Sequence, residues 1–226
     1  MYIPSALLSA TSLLLLVSSP QSPVAVVENL AGNPPGVELM DYVDAGQVIR
    51  LGPQDTIVLG YLTSCAHETI TGGVVTVGAE HSEVSGGKLE RATVPCGGGK
   101  IELTAEIANK SAAMAFREMP KNAPHEPPRP QLTIYGRSPV VEVKPFGALV
   151  IERVDKPGEH HDVILPDARL IRGRFLDLTT EGVVLDPGGV YRARIGMQEI
   201  VFRVDREAQA GETPIAGRLL RLQPTR

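Results

Sequence analysis

The sequence has no tryptophan, only two cysteines and few long stretches without glycine or proline. Glycine (23) and proline (19) make up nearly a fifth of the 226 residues, and the longest window free of both is Lys100 to Met119. A helical bundle and a doubly wound α/β fold need helices repeatedly, so this spacing excludes both classes. A mean hydropathy of +0.02 excludes a protein with several membrane spans, and the 42% hydrophobic fraction argues against disorder.

The sequence also lacks a basic patch and the common catalytic motifs. The formal net charge is −4. The Lys and Arg residues are dispersed along the sequence and do not form the basic stripe typical of nucleic-acid-binding proteins. Gly97-Gly-Gly-Lys100 is followed by Ile101 where a phosphate-binding loop has Ser or Thr, and there is no G-x-S-x-G or H-E-x-x-H pattern. We therefore expect a protein that is not an enzyme, has no cofactor and binds no nucleic acid.

An uncharged, mostly apolar run extends from Ala6 to Val17, and the small and polar residues Ser18 to Ser22 follow it. The run is shorter than the roughly 20 residues of a spanning helix and has the length of a secretory h-region. Because no Lys or Arg precedes it, a buried strand or helix of the first domain is the alternative. We expect residues 1–23 to be a signal peptide. That predicts a periplasmic or secreted protein without a membrane span after cleavage.

Short β-type runs alternate with turn residues beyond this segment, at intervals of about 8–14 residues. Examples are Val37 to Val43, and Thr56 to Leu62 after a turn at Gly52 to Asp55. The pattern predicts an all-β chain whose first domain, residues 24–119, is a small sandwich, barrel or solenoid-like fold. Ala105 to Met119 is the only candidate helix, and part of it could equally be a last strand. The proline-rich residues 120–130 predict an extended linker.

Residues 131–226 contain about nine short β-type runs, which suits an immunoglobulin-like sandwich. The segment Leu185-Asp-Pro-Gly188-Gly-Val-Tyr191-Arg-Ala193 resembles the corner before the F strand of immunoglobulin-like and fibronectin-like domains. The resemblance implies that the Tyr191 hydroxyl bonds back to upstream backbone, with Leu185 and Gly188 in the corner. It also implies that Ala193 occupies the inward position that is cysteine in antibodies.

The N-terminal half resembles the FecR-like periplasmic β domain. The resemblance lies in Ala45-Gly-Gln-Val-Ile-Arg-Leu-Gly52, then Thr56-Ile-Val-Leu59, and then Gly72-Gly-Val-Val-Thr-Val-Gly78. It implies the type of domain rather than a role in sigma-factor signalling. In many proteins this domain is combined with other extracytoplasmic domains, and an immunoglobulin-like second domain is consistent with such an arrangement.

The two cysteines, Cys65 and Cys96, most simply form one disulfide in an exported protein. Free thiols are one alternative. A zinc site is another, because His67 and His81 would complete a set of two sulfurs and two imidazoles, although the spacing matches no usual zinc motif.

The densest polar cluster is His160-His161-Asp162, preceded by Gly158 and Glu159. We expect an exposed loop there, with a transition-metal or catalytic site as the alternative. The sequence as a whole predicts a binding, scaffold or signalling accessory module of the bacterial cell envelope with a protein partner, and leaves its oligomeric state open. The competing hypothesis is a metal-dependent extracytoplasmic enzyme or metal-binding protein that uses His67, His81, His160 or His161.

Overall fold

The computed structural model describes residues 23–94, 128–144, 146–165, 170–211 and 214–224. Within these ranges the regular elements are β-strands, apart from one short 3₁₀ helix at Ile215–Gly217. The expected all-β fold is therefore confirmed. The candidate helix, Cys96, Gly97 to Lys100, most of the expected linker and residues 1–22 of the expected signal peptide lie outside the described residues.

Six antiparallel strands form the sheet of the N-terminal half. They are β1 (Pro23–Ala31), β2 (Tyr42–Asp44), β3 (Val48–Tyr61), β4 (Ala66–Val77), β5 (Ser82–Ser85) and β6 (Lys88–Thr93). The order is β2-β1-β3-β4-β5, and β6 also pairs with β4. Alternate residues of β4 are buried, as expected for a strand with one face on a core. The sheet encloses its own core, which includes Val27, Ile57, Leu59, Ile70 and Val75.

Two local expectations for this half are wrong. Gly52 to Asp55 does not end a strand, because β3 continues on both sides of it with a shift of register against β4 between Leu51 and Thr56. The Gly52 N–H donates to Asp55 Oδ2 (2.8 Å), which closes a local irregularity within the strand. Val37 to Val43 is mostly a turn, in which Met40 has a φ of 68° and only the last residues pair.

Nine further strands form the C-terminal half. They are β7 (Leu132–Gly136), β8 (Val140–Glu142), β9 (Ala148–Arg153), β10 (His160–Ile164), β11 (Phe175–Asp177), β12 (Val190–Ile195), β13 (Gln198–Gln209), β14 (Leu219–Arg221) and β15 (Gln223–Pro224). One sheet has the order β10-β9-β12-β13-β15, with β7 parallel to β13. The other has the order β11-β8-β14. Buried side chains of both sheets, such as Ile151, Phe202, Val141 and Leu176, share one core, so the sheets face each other.

A separate buried cluster joins the two halves. The N-terminal half contributes Val26, Met40 and Leu62, and the C-terminal half contributes Tyr135, Val140, Phe175 and Leu219. Polar contacts flank this cluster: Arg221 Nη2 donates to the Met40 carbonyl (2.6 Å), and its guanidinium lies 4.5 Å from the centre of the Tyr42 ring. The two halves are therefore held by a packed interface.

Candidate functional site

A buried carboxylate, Glu28 on β1, lies at the junction of the two halves. Its side chain is 6% exposed. Its Oε1 accepts the Ala216 N–H (2.7 Å), and its Oε2 lies 3.1 Å from His67 Nε2. Gly60 provides the space on β3, because a Cβ there would lie 2.2 Å from Glu28 Oε1. The carboxylate thus connects β4 of one half to the 3₁₀ helix of the other.

The same contact determines the state of His67. The hydrogen bond that the His67 imidazole donates to the Glu28 carboxylate raises the pKa of the imidazole, and partial burial opposes this rise without cancelling it. The imidazole is thereby held as a partner of Glu28. Because its Nε2 faces the Glu28 carboxylate, His67 has a structural role.

The residues of the expected zinc alternative are not brought together in the described part of the chain. His67 contacts Glu28, whereas His81 is exposed in the turn between β4 and β5. Cys65 precedes β4 with a φ of 56°. Among the described residues, no three His, Cys, Asp or Glu side chains are grouped as metal ligands. Cys96 lies outside these residues, so its pairing with Cys65 stays a prediction.

Tyr191 lies at a polar corner of the C-terminal half. Its hydroxyl accepts the Asp186 N–H (2.9 Å) and donates to the Glu159 carboxylate, and burial together with Glu159 raises the pKa of the phenol. Arg153 covers the ring, with its Cζ 5.6 Å from the ring centre. The first of these bonds joins the phenol to backbone five residues upstream in the chain.

The rest of the corner packs as a structural unit. Leu185 is fully buried in the core, and Gly188 has a φ of 78°, which favours glycine. Glu159 is the partner that the sequence did not indicate. It is 32 positions from Tyr191 and reaches it only because β10 and β12 both pair with β9.

The His160–His161 pair lies on strand β10, so the expected exposed loop is wrong. The loop ends near Gly158, whose φ is 122°, and His160 then pairs with Glu152 of β9. Because neighbouring strand residues point to opposite faces, the two imidazoles do not converge. His160 Nε2 lies 3.1 Å from Asp162 Oδ2, whereas His161 Nε2 lies 3.6 Å from Glu159 Oε1.

Two large apolar side chains are exposed at one end of the C-terminal half. Phe146 precedes β9 and Met197 lies in the turn between β12 and β13, and each is 78% exposed. The end of β12 lies beside the start of β9, because Arg194 pairs with Val150. The two loops are therefore neighbours. In the sequence, each of these residues adjoins a glycine, which is the only signal that could have indicated exposed apolar residues in turns.

A cleft of about 350 Å³ opens at this same end. Glu142, Lys144, Arg174, Gln198 and Leu222 line it. The Glu142 carboxylate accepts a hydrogen bond from Arg174 (2.7 Å) and lies 3.4 Å from Arg221 Nε. The cleft and the two apolar side chains form what we call the loop-end surface: Phe146, Met197 and the cleft residues named above. Its apolar side chains and internally paired charges suit binding.

The part of the chain that the structure describes contains no helix with the length and hydropathy of a membrane span. Comparisons with known proteins find no matching family model, no similar curated protein and no similar solved structure.

Proposed function

We propose that the chain is a non-enzymatic protein-binding module of the bacterial cell envelope, acting as a scaffold or signalling accessory protein. The observation that carries this proposal is the exposure of Phe146 and Met197 on adjacent loops. Large apolar side chains grouped at a surface are typical of protein contacts, and the energetically dominant residues of such contacts cluster in this way. The loop-end surface is the contact site for the partner.

The strand arrangement supports an immunoglobulin-like assignment of the C-terminal half. The sheet β10-β9-β12-β13, with β7 parallel to β13, has the order expected for strands C′, C, F, G and A′ of such domains. The bond between Tyr191 and Asp186 fits the tyrosine corner. Phe146 and Met197 then lie in the B–C and F–G loops, which bind antigen in antibody variable domains.

The envelope location and the FecR-like assignment of the N-terminal half rest on the sequence. The apolar run from Ala6 to Val17 supports export, and Ala45 to Gly52 carries the motif. An exported adaptor with two packed β halves is the function that combines these observations.

Site-specific photocrosslinking in the native cells tests this function. A photoreactive amino acid replaces Phe146 or Met197 in the full chain. In the control it replaces Lys156, which is exposed in the β9–β10 loop at the opposite end of the same sheet. We expect one protein species to be crosslinked from positions 146 and 197 and not from position 156. No specific crosslink from the first two positions, or equal crosslinking from all three, would contradict the proposal.

A further inference from the structure

Strand β10 has an open edge. It pairs with β9 on one side, and among the described residues no strand pairs with its other side. The Arg153 N–H donates to the Glu159 carbonyl (2.9 Å), and the Leu165 N–H donates to the Gly147 carbonyl (3.2 Å). Antiparallel bonding alternates along a strand, so the odd-numbered residues bond to β9. The backbone N–H and C=O groups of His160, Asp162 and Ile164 therefore point away from β9, in the plane of the sheet and toward its open edge.

Among the described residues, β10 lacks the proline, lysine and bulges that usually protect a sheet edge against pairing with another chain, and Asp162 is its one carboxylate. Sheet edges are normally blocked by proline, lysine, bulges or very short strands. β10 has five residues without proline or lysine, and its register with β9 is regular from His160 to Ile164. On its outer face, Ile164 is 70% exposed. These features suit a strand that takes part in intermolecular pairing.

We propose that β10 pairs antiparallel with β10 of a second copy of this chain, which makes a twofold symmetric dimer with one continuous sheet. The outward-pointing groups of both strands belong to even-numbered residues, so only registers that oppose even residues to each other give backbone hydrogen bonds. A twofold axis at His161 satisfies this requirement. It places His160 opposite Asp162 of the second copy, and Asp162 opposite His160 of the second copy.

Side-chain complementarity selects this register from its neighbours. An axis at Asp162 would place two carboxylates directly opposite each other, and an axis at His160 would oppose two imidazoles. With the axis at His161, each imidazole N–H faces a carboxylate. Because His160 Nε2 already lies 3.1 Å from Asp162 Oδ2 within one chain, the dimer would contain a cluster of four alternating donors and acceptors.

The same register also accommodates Ile164. It places this side chain opposite Gly158 of the second copy, and no atom lies within 4 Å of where a Gly158 Cβ would be. The exposed Ile164 can therefore lie over an unobstructed stretch of backbone. The proposed pairing uses none of the residues of the loop-end surface, so dimerisation and partner binding have separate tests.

Sedimentation equilibrium of the exported full chain tests the dimer. Five-residue edge pairing gives a small interface, so we expect a reversible dimer with a dissociation constant of roughly 10–500 µM. His160→Asp places like charges opposite each other at two symmetric positions and should raise the dissociation constant about tenfold. His160→Lys should lower it several-fold. The double variant His160→Asp with Asp162→Lys restores opposite charges and should recover dimerisation.

The matched control is His81→Asp, the same substitution at an exposed turn of the N-terminal half, and it should leave the dissociation constant unchanged. A wild-type chain that stays monomeric at the highest concentration overturns the proposal. So does a His160→Asp variant that dimerises like the wild type, or a double variant that fails to recover, since either result means that these two residues do not face each other.

Discussion

His67 and Glu28 give the stability of the protein a defined pH dependence. The contact with Glu28 raises the pKa of His67 in the folded chain, so the folded state binds the imidazole proton more tightly than the unfolded state does. The stabilisation is therefore complete below the unfolded pKa of about 6.5 and is lost as the pH rises through the folded pKa.

The variant His67→Gln isolates this contribution. It should lower the free energy of unfolding by about 1–2 kcal/mol at pH 5.5 and by less at pH 8.5, because a hydrogen bond to a charged group is stronger than a neutral one. Urea unfolding at both pH values measures the difference. His81→Gln is the control, since His81 is exposed. An equal loss at both pH values would show that protonated His67 does not stabilise the fold.

Tyr191 is a second residue at which removal of one group, the hydroxyl, should lower the free energy of unfolding by a defined amount. Tyr191→Phe leaves the Asp186 N–H and the Glu159 carboxylate without their phenol partner, so we expect a destabilisation of about 1–3 kcal/mol. Tyr42→Phe is the control, because the contribution of Tyr42 is its ring against Arg221. Chemical denaturation should show a clearly lower free energy of unfolding for Tyr191→Phe and only a slightly lower one for Tyr42→Phe. Equal losses would contradict a role for the corner.

At the scale of elements, β4 depends on glycine at one position, Gly73, which lies between the residues of β4 that pair with β6 and those that pair with β5. Gly73 has a φ of 83°, and a Cβ there would lie 2.5 Å from the Ser85 carbonyl oxygen and 2.6 Å from the Gly87 nitrogen. Ser85 pairs with Val74 of β4 and Gly87 adjoins Lys88, which pairs with Thr71 of β4, so neither atom can move aside without disturbing the sheet.

Gly86→Ala provides the matched comparison for Gly73→Ala. Gly86 has a φ of 71°, but no atom lies within 4 Å of its Cβ position, so the substitution costs only the unfavourable backbone conformation, about 1–2 kcal/mol. Gly73→Ala should cost this amount plus the backbone clash, and so destabilise clearly more. Thermal unfolding of both variants measures the difference. Equal midpoints would mean that the backbone at Ser85 yields freely.

Strands with strict alternation and a tight turn were predictable from the sequence. Val190 to Ile195 is one of the short β-type runs of the C-terminal half, and it matches β12 at both ends, because its polar Arg192 and Arg194 alternate with apolar residues and a turn follows at Gly196. Val37 to Val43 shows the limit of this reasoning. Its buried residues Val37, Met40 and Val43 are spaced by three, and Glu38 N–H bonds to Asp41 Oδ2 (2.8 Å), which favours a turn over a strand.

At the scale of the whole molecule, the sequence indicated two β-rich halves but not the interface between them. The sequence places Met40 in a predicted strand and indicates nothing unusual for Phe175. Both residues nevertheless belong to the buried cluster between the halves. Membership depends on which faces of two separate sheets meet, and no local periodicity encodes that. The loop-end surface was missed for the same reason, since Phe146 and Met197 become neighbours only through the pairing of β9 with β12.

The shared cluster predicts that the two halves unfold together. Phe175 is buried in this cluster, whereas the adjacent Leu176 is buried in the core of the C-terminal half alone. Truncation to alanine should cost about 3–5 kcal/mol at Phe175 and about 2–5 kcal/mol at Leu176, because each substitution leaves a cavity. Only Phe175→Ala weakens the contact between the halves.

Calorimetry of the two variants separates these effects. We expect one transition for the wild-type chain and one transition at lower temperature for Leu176→Ala, since its intact interface still couples the halves. Phe175→Ala should show two resolved transitions, because the coupling through Val26, Met40 and Leu62 is reduced. If both variants gave a single transition with similar shifts, the cluster would be only additional core, and the halves would owe their cooperativity to the polar contacts of Glu28 and Arg221.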